Sequence, residues 1–173
     1  MNNVKPNGLN HALLNPAMRL LLGKDADSCW LVGSSMPSAL VKRLEQGFEW
    51  HEERLVYKGA RHILPGETKT GYEFFGSKTY ITDFIEDKSS DLSLESLVHQ
   101  GFSYASLLAN SLFQHSSNFS VYIFGHLKDD FSECNDCCVQ FHLNRPLEIP
   151  PIKFDDIHAP DFSNPTAILN FVR

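Results

Sequence analysis

One stretch of this chain leaves the backbone little choice. Leu94, Leu97, Val98, Phe102, Ala105, Leu108, Ala109 and Leu112 recur at three- and four-residue spacing, which lines one face of a helix with apolar groups. The spacing predicts a helix over about 93–114, with Gly101 as the place where it kinks or divides. Residues 119–127 follow, apolar on both alternating faces, as a strand in the middle of a sheet must be. A polar loop over 128–136 leads to 137–143, where Val139, Phe141 and Leu143 alternate with Cys138, Gln140 and His142. Two such strands predict a hairpin with a long acidic tip.

The flanks are read from caps and turns. Asn15-Pro16 is an N-cap followed by proline at the first helical position, and Gly23 ends the helix. Cys29-Trp30-Leu31-Val32 reads as a short buried strand. Pro37 opens a second helix with Leu40, Val41 and Leu44 on one face, closed by Gly47. From Phe48 to Tyr80 the pattern turns aromatic and β-branched. Phe48 and Trp50, then Leu55-Val56-Tyr57, then 72–75 and 78–85 read as an antiparallel meander, with a turn at Leu64-Pro65-Gly66-Glu67. Asp87 to Asp91 is a polar linker. After Arg145-Pro146 come two short pieces, Leu147-Glu148-Ile149 and Ile152-Lys153-Phe154, around Pro150-Pro151. Asn164-Pro165 repeats the earlier cap signal and predicts a closing helix through Phe171. The expectation is a single α+β domain over 1–173, with a mainly antiparallel central sheet and helices at the N-terminus, the middle and the C-terminus.

Charge narrows the partners. Residues 1–80 carry ten Lys/Arg against eight Asp/Glu, whereas 81–161 carry four against thirteen, a local net of −9 within a chain of net −6. Phosphate repels such a surface, so nucleic acid is not an expected partner. No uninterrupted apolar run exceeds four residues, as in 121–124, against the ~20 that a membrane span needs. The first six residues are polar, and Leu20-Leu21-Leu22 lacks a small-residue cleavage site after it, so a cytoplasmic protein without a secretory leader is expected. Cys29, Cys134, Cys137 and Cys138 suit reduced thiols better than a disulfide scaffold.

Four chemistries find candidate residues in this sequence. Cys134-x-x-Cys137-Cys138 with His142 or His126 is half of a zinc site, but no second Cys-x-x-Cys or His pair completes it, and adjacent strand cysteines point to opposite faces. Gly101-Phe102-Ser103-Tyr104-Ala105 approximates a nucleophile elbow. The residues before it continue a helix instead of a buried strand, so small residues packing a helix closely explain it as well. His51 beside Glu52 and Glu53, or His62, offers acid–base groups, and a solvated strand face accounts for them equally. No phosphate-binding glycine loop occurs, and no cofactor or metal is expected.

The fourth is an acidic binding surface. Asp129, Asp130, Glu133 and Asp136 crowd the hairpin loop, Asp155, Asp156 and Asp161 a second segment, and Asp83, Glu86 and Asp87 a third. Their mutual repulsion is relieved by a basic protein partner. The sequence therefore leads to the expectation of a non-enzymatic, protein-binding module. Its concrete form is a small bacterial immunity- or antitoxin-type inhibitor that neutralises a toxic enzyme, plausibly a nuclease, by binding the basic surface of that toxin domain. The alternative is a small hydrolase using Ser103 or a Cys/His site.

Overall fold

The computed structural model describes residues 6–29, 36–60, 68–86, 92–128, 134–158 and 163–173. Seven strands and five helices are described: β1 (Leu9–Leu14), α1 (Pro16–Leu22), α2 (Ser38–Gln46), β2 (Phe48–His51), β3 (Arg54–Tyr57), α3 (Lys69–Gly76), β4 (Thr79–Tyr80), α4 (Leu94–Leu112), β5 (Asn118–His126), β6 (Asp136–Leu143), the single turn α5 (Phe154–Ile157) and β7 (Thr166–Val172). Strands β1-β7-β5-β6-β4 form one five-stranded sheet in that order, every neighbouring pair antiparallel, and β2-β3 is a separate hairpin. The fold is α+β with a mainly antiparallel sheet.

The two-residue period of the strands assigns each side chain to a layer. Phe119, Val121 and Ile123 of β5, Cys137, Val139 and Phe141 of β6, and Ala167, Leu169 and Phe171 of β7 point to the face covered by α4 and join its apolar stripe in one cluster. Tyr122, Phe124, Cys138 and Ile168 point to the other face, where Phe74 of α3 and Ile157 of α5 cover them. The sheet is thus buried on both sides, which is why its central strands carry few charges.

Helix α4 runs unbroken from Leu94 to Leu112, capped by Ser93, whose side chain accepts from Ser96 N. Gly101 neither kinks nor divides it. A Cβ placed on Gly101 would stand 2.6 Å from Cys137 Sγ and 3.3 Å from Ile123 Cγ2. The glycine is there because the helix backbone lies directly on β5 and β6. The β5–β6 hairpin is in place, with Ile123 opposite Val139 and His126 opposite Asp136.

Three elements differ from the sequence expectation. Residues 72–75 are not a meander strand; they belong to α3, whose N-cap Thr68 accepts from Gly71 N. Thr70, Glu73 and Phe74 bury one helical face, at the spacing of neighbouring turns. Of the expected strand over 78–85, only Thr79–Tyr80 pairs with β6, and Ile81–Phe84 forms a 3-10 turn. The closing helix through Phe171 is instead β7, inserted between β1 and β5. Its run Ala-Ile-Leu is buried on both faces, and such a run reads alike as strand or helix. Asn15 ties the two Asn-Pro sites together: its Oδ1 accepts from both Met18 N and Thr166 N, and its Nδ2 donates to Asn164 O. One Asn-Pro starts a helix and the other a strand. Cys29 is buried just after the turn that follows the 3-10 stretch Gly23–Asp25; Trp30 to Val32, the turn at 64–67, His62 and the linker at 87–91 lie outside the described residues.

Candidate functional site

The acidic segments are positioned by the loop end of the β5–β6 hairpin, where His126 pairs with Asp136. Asp136 is the first residue of β6, and its carboxylate does not project freely as a loop-tip charge. Oδ1 accepts from Thr82 N at 3.3 Å and Oδ2 from Thr82 Oγ1 at 2.7 Å. These bonds pull the 3-10 turn against the hairpin and set the exposed Asp83 and Glu86 beside it. Tyr80 precedes that turn, about one-third exposed. Partial burial, then the electrostatic influence of Cys138, Asp136 and Asp83, hold its hydroxyl above the ordinary tyrosine value. The second segment is α5. Asp155 and Asp156 are exposed, and Asp156 Oδ2 caps the turn by accepting from Lys153 N at 2.8 Å. Ile157 packs in the cluster that contains Phe124 and Cys138, an opposed pair two positions from the hairpin end. Asp129, Asp130, Glu133 and Asp161 lie outside the described residues. Of the seven sequence-chosen acids, then, Asp155 and Asp156 are seen presented to solvent, and Asp136 is seen holding the fold.

At the opposite end of β6, around Leu143, lies a polar centre that local sequence pattern does not reveal. Glu73 of α3 is fully buried. Arg145 grips it with both terminal nitrogens, Nη1 to Oε2 at 2.8 Å and Nη2 to Oε1 at 2.6 Å. Leu55 N and Leu143 N donate to the same two oxygens at 2.7 and 2.9 Å. Four donors thus saturate one carboxylate, the condition under which a buried charge is tolerated. Burial opposes the charge on Arg145, but the hydrogen bonds and charge of Glu73 outweigh it and raise the guanidinium above its ordinary value. Arg145 also donates to Glu53 O, so the ion pair staples α3, β3, β6 and the β2–β3 turn. Glu52 and Glu53 form that turn, both at positive φ, with Glu53 further held by Lys69. The only clue in the sequence was a lone Glu on the inner face of a short amphipathic helix, and reading 72–75 as a strand concealed it.

A second buried polar pair lies nearby. His142 Nδ1 is 3.1 Å from Leu143 O, so it carries the proton and donates. Nε2 therefore accepts, and the Tyr122 hydroxyl donates to it at 2.9 Å. Burial lowers the His142 pKa to about 4. This histidine is neutral and packed.

The remaining sequence candidates separate in space. Cys137 faces α4 and Cys138 the opposite layer, while Cys134 is exposed. Burial pushes the Cys138 thiol up to about 12 and Cys137 well above its ordinary value, which suppresses thiolate chemistry. Among the described residues, no three His, Cys, Asp or Glu side chains are grouped to hold a metal ion. Ser103 sits inside α4, not at a strand-to-helix turn, and its Oγ donates to His99 O at 3.1 Å. His51 is exposed at the end of β2. No helix among the described residues is long and apolar enough to cross a membrane.

Comparison of the chain with protein-family models, with curated proteins and with solved structures gives no match.

Proposed function

We propose that this chain is a non-enzymatic protein-binding module of the bacterial cytoplasm, an immunity- or antitoxin-type inhibitor that covers the basic surface of a toxic enzyme, a nuclease being the natural fit. The observation that carries the reading is the bond pair from Thr82 to Asp136. It gathers two acidic segments that are over forty residues apart in sequence, 83–86 and the hairpin end, while α5 brings Asp155 and Asp156 to the neighbouring layer. Separated acids would be ordinary solubilising charges; acids gathered against one end of a rigid sheet produce a directed negative field. A cationic partner is drawn in by that field, which raises the association rate and selects against acidic competitors.

The test begins with retention of host proteins on the immobilised chain at low and high salt, identified by mass spectrometry, followed by kinetics with the purified partner. Association should slow steeply as salt shortens the Debye length from ~10 Å at 0.1 M to ~3 Å at 1 M. Asp83→Asn, Asp155→Asn and Asp156→Asn together should slow it without changing the fold. Asp136 is left intact because its carboxylate holds Thr82. An association rate indifferent both to salt and to the triple substitution would remove the reading.

A further inference from the structure

The segment after β6 is built inside out. In Arg145-Pro146-Leu147-Glu148-Ile149, the polar residues turn in and the apolar ones turn out. Arg145 reaches the buried Glu73, and Glu148 Oε2 accepts from Thr70 N, at the start of α3, at 2.7 Å. Leu147, by contrast, is 97% exposed and Ile149 72% exposed. Soluble proteins carry scattered exposed apolar groups without consequence, but these two stand on a clamped support. Glu148 N donates to Arg145 O at 3.2 Å, closing a tight turn with Pro146 in its second position and Leu147 at its apex. Pro150 and Pro151 stiffen the exit, and Ile152 then packs against the apolar cluster under the sheet. The bonds to Thr70 and the charges of Arg145 and Lys69 outweigh partial burial and keep the Glu148 carboxyl below its ordinary value, so the inward hold persists at neutral pH.

We infer that Leu147 and Ile149 are the apolar anchor of the partner interface, seated in an apolar pocket that borders the partner's basic surface. This rests on the reading of the chain as a binder of a basic protein and adds to it the contact that keeps the complex together. Charge complementarity selects that occupant. The same segment continues, six and seven residues after Ile149, to the exposed Asp155 and Asp156, and a chain of net −6 is a poor match for a second copy of itself. The division of labour follows from the physics. Exposed acids act over several ångströms and govern encounter, whereas apolar side chains act only on contact and govern dissociation. The preformed turn spares the entropy of ordering a loop on binding.

The experiment places a photo-crosslinking amino acid at 147, 149, 155 and, as an exposed apolar control on α1, 20, in the full chain expressed in its host. The inference expects crosslinks to one basic protein from 147, 149 and 155 and none from 20. With that protein purified, Leu147→Ser and Ile149→Ser should each raise Kd by about 30-fold or more, the size of an interface hot spot. The rise should lie in the dissociation rate, with the salt dependence of association unchanged. A crosslink from 155 alone, or serine variants that bind as wild type, overturns the anchor and leaves the acidic-face reading standing. A crosslink from 147 to another copy of the chain overturns it in favour of self-association. A partner that crosslinks at 147 yet associates without regard to salt keeps the anchor but sinks the acidic face. No crosslink at any site sinks both.

Discussion

Removing the Arg145 side chain puts the buried ion pair to a direct test. Arg145→Met keeps most of the apolar stem and deletes the guanidinium. Glu73, fully buried, would keep its two backbone donors, Leu55 N and Leu143 N, and lose the two bonds at 2.8 and 2.6 Å that neutralise it. Breaking a buried pair from one side costs about 3–5 kcal/mol because the remaining charge stays out of water. For a chain of this size each kcal/mol lowers Tm by ~2–4 °C, so a fall of roughly 10 °C is expected. Urea unfolding measures the free energy, and a double-mutant cycle with Glu73→Gln isolates the pair. The double variant should lose clearly less than the sum of the two singles, because neutral Gln at 73 no longer needs the cation. Lys69→Met serves as a control: it touches Glu53 at the surface and should cost under ~1 kcal/mol. A loss below ~1 kcal/mol for Arg145→Met, or singles that simply add, would refute the account of this centre as the staple of α3, β3 and β6.

Two further outcomes follow from the packing. Gly101→Ala should destabilise the fold by ~1–3 kcal/mol, although alanine in a helix interior is ordinarily favoured over glycine by ~1 kcal/mol, since the new Cβ would lie 2.6 Å from Cys137 Sγ; Cys137→Ala in the same chain should restore part of the loss, and a single variant as stable as wild type in urea would contradict the close approach of α4. His142 binds its proton at about 4 when folded against 6.5 in the open chain, so the unfolded state holds the extra proton between those values. Stability from this residue is complete above pH 6.5, declines as pH falls toward 4 and is constant below, by on the order of 3 kcal/mol. Unfolding free energies of wild type and His142→Gln at pH 7.5, 6, 5 and 4 should converge as pH falls, and parallel curves would exclude a buried neutral His142.

Local patterns in the amino-acid sequence were enough for the elements whose chemistry is local. The stripe from Leu94 to Leu112 can bury its apolar groups only as a helix, and Asn15-Pro16 and Pro37 supply helix starts whose bonds lie within a few residues. The central hairpin was legible because β5 and β6 alternate and adjoin in sequence. The charge imbalance was legible too, since charge needs no geometry to be counted. Where two states compete, the tertiary structure decided. Ala167-Ile168-Leu169 is apolar enough for a helix, yet it is β7 because β1 and β5 offer backbone partners on both sides and layers of apolar groups above and below. The aromatic run 72–75 has strand propensity, yet it is helical because Thr68 caps it and Glu73 must reach Arg145, seventy-two residues away. Propensity differences of ~1 kcal/mol or less per residue lose to a saturated buried carboxylate. Likewise, nothing in Pro146-Leu147-Glu148-Ile149 by itself says which side chains face out; Thr70 and Glu73, brought there by the fold, turn Glu148 and Arg145 inward and leave Leu147 and Ile149 to solvent.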